Sequence, residues 1–135
     1  MIELTKSQML QIRLLSDEKL YQDAIPFIRE NGTIKNSQIA GLENIACTAN
    51  EFSKIMEFSN HQAQKKGENA AFYQAVSKYL TKLQQELKEN REFIPEPDTL
   101  SKKQLKEYME FYGLLLVREF IHHLSAQHRY QAQGA

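Results

Sequence analysis

The chain has 135 residues, which is enough for one hydrophobic core but not for two. Its 17 basic residues balance 17 acidic ones, so only local clusters of charge can attract nucleic acid or an anionic membrane. The single cysteine, Cys47, cannot form an internal disulfide, and its apolar neighbours predict a small buried side chain. The longest apolar run, 113–117, is far shorter than the roughly 18 residues of a membrane span, and Glu3 and Lys6 do not suit a signal peptide. We therefore expect one soluble, cytoplasmic domain over residues 1–135 that does not bind a membrane.

The first third of the chain predicts two helices. Thr5 and Gln8 form a capping-box pattern that starts the first helix. Ser16 and Asp17 predict a restart into a second helix, which Pro26 is expected to kink or shorten. The second helix should end at 31–32, because the glycine of this Asn-Gly pair tolerates the left-handed conformation of a helix C-cap.

The middle of the chain predicts two longer helices. Asn36 or Ser37 is expected to cap one helix, whose apolar stripe keeps helical period through Met56 to about Asn60, before Gly67 ends it. The apolar positions of the next helix also recur at three- and four-residue spacing. They are Phe72, Val76, Tyr79, Leu80, Leu83 and Leu87.

A proline-containing segment, 92–99, cannot continue that helix and is predicted to be a linker inside the domain. Ser101 and Gln104 form a second capping box, and Leu100 is placed to close on Leu105 as a hydrophobic staple. From there a single amphipathic helix runs to the end of the chain. The fold class that follows is all-α, a compact bundle of four to five helices with a long C-terminal helix.

Sequence motifs for catalysis are missing. The five glycines form no phosphate-binding loop, and Cys47 has no basic partner in its pattern. His122, His123 and His128 share the last helix, but no pair of them has the spacing of three or four residues that points two imidazoles at one metal. We therefore predict a protein that is not an enzyme and has no metal and no cofactor, and we expect His123, on the apolar stripe, to be partly buried and hydrogen-bonded.

Three groups of basic residues are weighed for contact with phosphate. One lies on a polar ridge of the last helix, formed at helical spacing by Arg118, His122, Ser125 and Arg129. The second lies near the end of the central helix, and the third consists of Lys102, Lys103 and Lys106 at the start of the last helix. The alternative interpretation is a solvated face and, near the end of the central helix, cations that complement the helix dipole. The candidate nucleic-acid-binding residues are His61, Lys65, Lys66, Arg118, His122 and Arg129.

Several short segments resemble one protein family. Residues 32–42 (GTIKNSQIAGL) resemble the segment that opens the second helix in the small subunit of type III CRISPR-Cas effector complexes. Residues 61–67 (HQAQKKG), 72–76 (FYQAV) and 126–130 (AQHRY) are similar to later segments of that family, in the same order. Ala40 departs from the pattern, because the family has an arginine there.

The resemblance favours the Csm-type branch, although residues 25–28 (IPFI) also resemble the Cmr-type sister, and residues 1–16 read as an N-terminal extension. It implies a non-catalytic subunit of a ribonucleoprotein complex for antiviral defence, stacked head to tail in several copies. Such a subunit would contact guide and target RNA backbones, without sequence specificity, beside other effector-complex subunits. The alternative is a helical protein–protein adaptor or regulator that uses the exposed face of the C-terminal helix, with Phe111 as an anchor if it is not buried in the bundle.

Overall fold

The computed structural model describes residues 5–32, 34–65, 67, 69–89 and 101–134, with side chains described as far as Gln131. This part of the chain is helical and contains no strand, which confirms the all-α prediction. The predicted linker 92–99 and the Leu100 staple lie outside the described residues. The helices are α1 (Lys6–Leu15), α2 (Tyr21–Asn31), α3 (Asn36–Thr48), α4 (Phe52–Gln64), α5 (Ala70–Glu89) and α6 (Lys102–Gly134), with a π-helical segment (Ser16–Leu20) between α1 and α2.

The first two helices form one continuous rod. Its capping box is confirmed, since the Thr5 amide donates to Gln8 Oε1 (2.9 Å) and the Gln8 amide donates to Thr5 Oγ1 (3.1 Å). The predicted restart at Ser16 is wrong, because Ser16 keeps right-handed helical angles (φ −57°, ψ −49°) and the backbone passes through a π-helical turn instead. Pro26 lies inside α2 and does not end it.

A row of buried side chains at four-residue spacing explains the π-helical turn. An α-helix rotates about 400° in four residues, so such a row drifts around the rod by about 40° at each step. A π-helical turn holds more residues, which removes part of this drift and keeps the row facing the core. The row consists of Gln8, Ile12, Ser16, Leu20, Ala24 and Ile28.

The predicted end of α2 at Asn31 is confirmed. Gly32 follows with φ 77°, a conformation that suits glycine, and its amide donates to the Ile28 carbonyl (2.8 Å). The prediction that Asn36 or Ser37 caps the next helix is wrong. Lys35 is the N-cap, in an extended conformation and without a side-chain capping bond, and Asn36 is already helical.

The single central helix predicted from the apolar stripe is divided into α3 and α4. Ala49 (ψ 143°) and Glu51 (φ −144°) are extended, so α3 ends at Thr48 and α4 begins at Phe52. The three- and four-residue spacing of buried side chains continues through this corner, because both helices turn a face towards the same core. The apolar periodicity therefore gave no sign of the break. Cys47 is exposed, and the prediction of a buried thiol is wrong, because α3 buries Ala46 and turns the next residue outward.

The long helix α6 forms the spine of the bundle, with α2, α3, α4 and α5 packed against it. Its Ser101–Gln104 capping box is confirmed by bonds of 2.9 and 3.1 Å. None of the helices in the described ranges is long and apolar enough to cross a membrane.

Aromatic rings fill the centre of the core. Tyr79 of α5 stacks on Phe120 of α6, with ring centroids 3.9 Å apart. Phe27 of α2 forms T-shaped pairs with Phe72 and Phe120, with ring centroids 5.5 and 5.8 Å apart. Aromatic pairs of these geometries contribute about 0.5–1.5 kcal/mol each beyond their buried area. The rings therefore fix how α2, α5 and α6 meet.

Candidate nucleic-acid interface

Arg118 of α6 is bound to the end of α3. Its Nε donates to the Ala46 carbonyl (2.7 Å), and its Nη2 donates to the Ala49 carbonyl (2.8 Å) and, at longer range, to the Cys47 carbonyl (3.4 Å). The last carbonyls of a helix have no partner within the helix and carry the negative end of its dipole, so a guanidinium is well matched to them. Arg118 thus caps α3 from another helix and accounts for the corner between α3 and α4.

Two further members of the predicted polar ridge also contact α3. The Ser125 hydroxyl is buried and donates to Glu43 Oε1, and Arg129 Nη2 lies 2.8 Å from the same oxygen. The Arg129 side chain is still 60% exposed, so this ion pair is a surface one and contributes at most about 1 kcal/mol. The ridge is therefore largely a seam between α3 and α6. His122 alone among its predicted contact residues is exposed with no hydrogen-bond partner in the described part of the chain.

His123 is half-buried and hydrogen-bonded, as predicted. The Ser16 hydroxyl lies 2.9 Å from Glu119 Oε2 and 2.8 Å from His123 Nε2. A hydroxyl has one proton, so donation to Glu119 leaves His123 Nε2 as the donor to Ser16. In a hydrolytic triad the carboxylate instead orients the second nitrogen of the imidazole ring. This cluster therefore lacks the triad arrangement and serves to join the π-helical turn to α6.

His128 fixes the chain where it enters α3. The ring is buried, and its Nε2 lies 2.7 Å from the Ile34 carbonyl oxygen and 3.1 Å from the Ile34 amide nitrogen. The C-terminal part of α6 and the start of α3 consequently lie at the same end of the bundle.

That end also holds the close of α4 and the start of α5. The Tyr73 hydroxyl of α5 donates to the Gln38 carbonyl of α3 (3.2 Å), and Gln74 Nε2 of α5 donates to the Ala63 carbonyl of α4 (3.4 Å). Three exposed cationic or titratable residues from the start of α3 and the close of α4 therefore share it. We call these residues, Lys35, His61 and Lys65, the basic end.

The side chains of the basic end form no ion pair or hydrogen bond with a carboxylate in the ranges that the structure describes. His61 and Lys65 follow α4 outward, where the helix dipole favours positive charge. Lys66, the third predicted residue of this cluster, lies outside the described residues. Lys35 was missed in the sequence because no other basic residue lies near it there, and only the packing of the helices brings it to the same end of the bundle as His61 and Lys65.

An acidic cleft lies at the opposite end of α4. It has a volume of about 490 Å³ and is lined by Glu51, Glu107, Glu110 and Phe111, with Lys106 beside them. Glu110 Oε2 accepts the Ser53 amide at the N-terminus of α4 (3.0 Å), where a carboxylate complements the helix dipole.

Phe111 is half-buried in the wall of the cleft. The 13 residues of α4 separate the acidic cleft from the basic end by about 20 Å.

No cluster of three metal-ligating side chains occurs in the described part of the chain. No family model, curated protein or solved structure matches this chain.

Proposed function

We propose that this protein is a non-catalytic small subunit of a type III CRISPR RNA-guided effector complex, which contacts guide and target RNA backbones without sequence specificity. The observation that carries the proposal is the basic end, where Lys35, His61 and Lys65 are exposed and not paired with carboxylates in the described chain. The resemblance of residues 32–42 also supports it, and that segment leads into α3, which begins at Asn36.

Backbone contact suits both the number and the type of these residues. A subunit that accepts any target sequence should bind phosphate and sugar, because base edges carry the sequence information. Each copy needs few donors when several copies bind one RNA, since linked sites add their effect through effective concentration. A balanced net charge is then compatible with RNA binding.

The contact residues differ in how available they are. The side chains most available to bind phosphate are those of Lys35, His61 and Lys65, because they are exposed and unpaired with carboxylates in the described chain. Lys66 lies outside the described residues and stays a candidate. His122 and Arg129 lie on α6, with Arg129 directly after His128 at the same end of the bundle. To bind phosphate, Arg129 would exchange its exposed ion pair with Glu43. Arg118 ranks last, because its donors are directed at carbonyls of α3.

The arrangement of charge supports stacking of copies. A basic end and an acidic cleft at opposite ends of α4 would let the basic end of one copy face the acidic cleft of the next. Such a contact uses two different surfaces, so it can repeat along a filament.

The test is binding of the purified protein to labelled single-stranded RNA from about 50 mM to about 300 mM salt. The variant Lys35→Gln/Lys65→Gln should weaken binding and reduce the slope of log K against log salt by about 1.4, at about 0.7 per lost contact with a single strand. The matched control is Lys102→Gln/Lys103→Gln, which removes the same charge from exposed positions about 40 Å away along α6.

The proposal requires the control to bind RNA like the wild type. Equal losses in the two variants would mean that only net charge matters, and an unchanged slope in both would remove the basic end from consideration. Arg118 is left out of this test because its replacement is expected to destabilise the protein through the loss of its bonds to α3.

The second candidate is the protein–protein adaptor, which the acidic cleft favours through its half-buried Phe111. A chain that binds no RNA at low salt would put this candidate first. Phe111→Ser would then be expected to abolish capture of the partner, whereas the basic-end variant would not affect it.

A further inference from the structure

Apolar side chains on the surface are concentrated in the N-terminal rod. Of the five large hydrophobic side chains exposed in the described residues, four lie there: Met9, Leu10, Leu14 and Tyr21, at 51%, 56%, 47% and 49% exposure. Met9 lines a gap towards α6, and the Tyr21 ring lies 5.4 Å from the ring of His123. Leu10 and Leu14 remain, one helical turn apart, as an exposed apolar pair of the kind that indicates an interaction surface.

Helix α1 is only partly attached to the bundle. Its buried side chains are Gln8 and Ile12, and a shallow gap of about 190 Å³ lies between this helix and Leu115 and Glu119 of α6. The opposite face of α1 has no partner in the described chain.

The charges on that face are complementary to themselves. Lys6, Leu10, Leu14 and Glu18 lie at four-residue spacing and are all exposed, in the order basic, apolar, apolar, acidic. Residues four apart lie one above the other on a helix, and the wider π-helical turn keeps Glu18 close to this line. A second copy lying antiparallel presents the same row in the order acidic, apolar, apolar, basic. Each charge of one copy then faces the opposite charge of the other, and the leucines face each other.

We propose that α1 pairs with α1 of a second copy of this chain, antiparallel and across a two-fold axis near residue 12. In this register Leu10 of one copy meets Leu14 of the partner, about 3 Å from the axis along the helix. Lys6 then lies opposite Glu18 of the other copy, about 9 Å from the axis on each side.

This contact is isologous, because both copies use the same surface, and it closes at two subunits. It therefore differs from the head-to-tail stacking above, which joins two different ends, and it does not depend on RNA binding. Two exposed leucines and two charged side chains per copy make a contact below the usual size of specific interfaces. The dimer should therefore be a weak one, with a dissociation constant of about 100 µM.

The experiment is sedimentation velocity of the purified chain, without RNA, from about 5 µM to about 500 µM. We expect a monomer–dimer equilibrium that Leu14→Lys abolishes. Leu14 is exposed, so this change should leave the unfolding temperature of the monomer nearly unaltered. The matched control is Tyr130→Lys, which changes a side chain that is exposed on α6 and should leave dimerisation intact.

A charge exchange tests the antiparallel register. Lys6→Glu and Glu18→Lys should each weaken the dimer about tenfold or less, because each puts like charges opposite one another at both ends of the pair. The double variant Lys6→Glu/Glu18→Lys should restore wild-type dimerisation. A chain that stays monomeric at every concentration, a Leu14→Lys protein that still dimerises, or a double variant without rescue would each overturn the proposal.

Discussion

Replacement of Arg118 tests whether this residue caps α3 or is free to bind a ligand. In Arg118→Gln the guanidinium is lost, and with it the bonds to the Ala46 and Ala49 carbonyls at 2.7 and 2.8 Å. A hydrogen bond from a charged donor contributes about 1.5–3 kcal/mol to stability. The bond to the Cys47 carbonyl is longer, at 3.4 Å, and is therefore weak.

The expected loss is smaller than the sum of two such bonds, because water can reach the last carbonyls of a helix and replace part of the interaction. We therefore expect Arg118→Gln to lower the free energy of unfolding by about 2–3 kcal/mol. For a domain of this size, that corresponds to a fall of about 6–15 °C in the melting temperature.

The assay is urea and thermal unfolding followed by far-UV circular dichroism, with two comparison variants. Arg118→Lys keeps the charge but not the planar fork of donors, so its loss should be intermediate. Arg129→Gln removes a neighbouring arginine whose ion pair is exposed, and it should cost less than about 1 kcal/mol. Hydrogen exchange should also rise in peptides covering residues 45–52 at the α3–α4 corner.

An Arg118→Gln protein as stable as Arg129→Gln would contradict the capping role of Arg118. Unchanged hydrogen exchange at the corner together with loss of RNA binding would also contradict it, because Arg118 would then act on a ligand and not on α3.

Two further predictions concern the core. Gly113→Ala should lower the free energy of unfolding by about 1 kcal/mol, because the new Cβ would lie 3.0 Å from Cδ2 of the buried Phe52. Gly41→Ala has open space around the new Cβ, so it should raise the free energy of unfolding by about 0.5–1 kcal/mol. Urea unfolding measures both. The opposite order of the two would refute this account of the α4–α6 contact. Stability should also fall as the pH rises above 10. Burial, and then the hydrogen bond to Asp23, raise the pKa of Tyr79 in the folded protein above its usual value of 10. The unfolded chain therefore loses the phenol proton first, and the stabilisation by the neutral phenol declines from pH 10 upward. Tyr79→Phe should flatten this part of the profile of unfolding free energy against pH, and an equally steep fall in the variant would contradict the assignment.

Capping boxes at Thr5 and Ser101, and the end of α2 at Gly32, were predictable because each depends on residues within a few positions of one another. The apolar face of α5 was predictable for a similar reason, since a helix buries residues at three- and four-residue spacing. The N-cap of α3 was not, because Lys35 makes no side-chain bond that a sequence pattern would reveal.

The candidate site was less accessible to sequence reasoning than the fold. Arg118 and Arg129 have the spacing of an exposed basic ridge, but that spacing does not say whether another helix packs beside it. Lys35 and Lys65 are 30 positions apart, and only the bundle brings them to one end. Helix packing therefore had two opposite effects on the predicted site. It engaged the donors of Arg118 and Arg129 in contacts with α3, and it brought Lys35 and Lys65 together at one end of the bundle.

The sequence by itself determined that this chain is an all-α bundle with a long last helix, because helix starts, helix ends and apolar periodicity are local properties. Tertiary structure alone decided the corner between α3 and α4, the π-helical turn at Ser16 and which cations remain free. Each of these depends on a partner far away in the chain: Arg118 reaches carbonyls about 70 residues before it, and Ser16 meets Glu119 and His123 of α6. Such partners are fixed by how the helices pack, and a local pattern of residues contains no record of that packing.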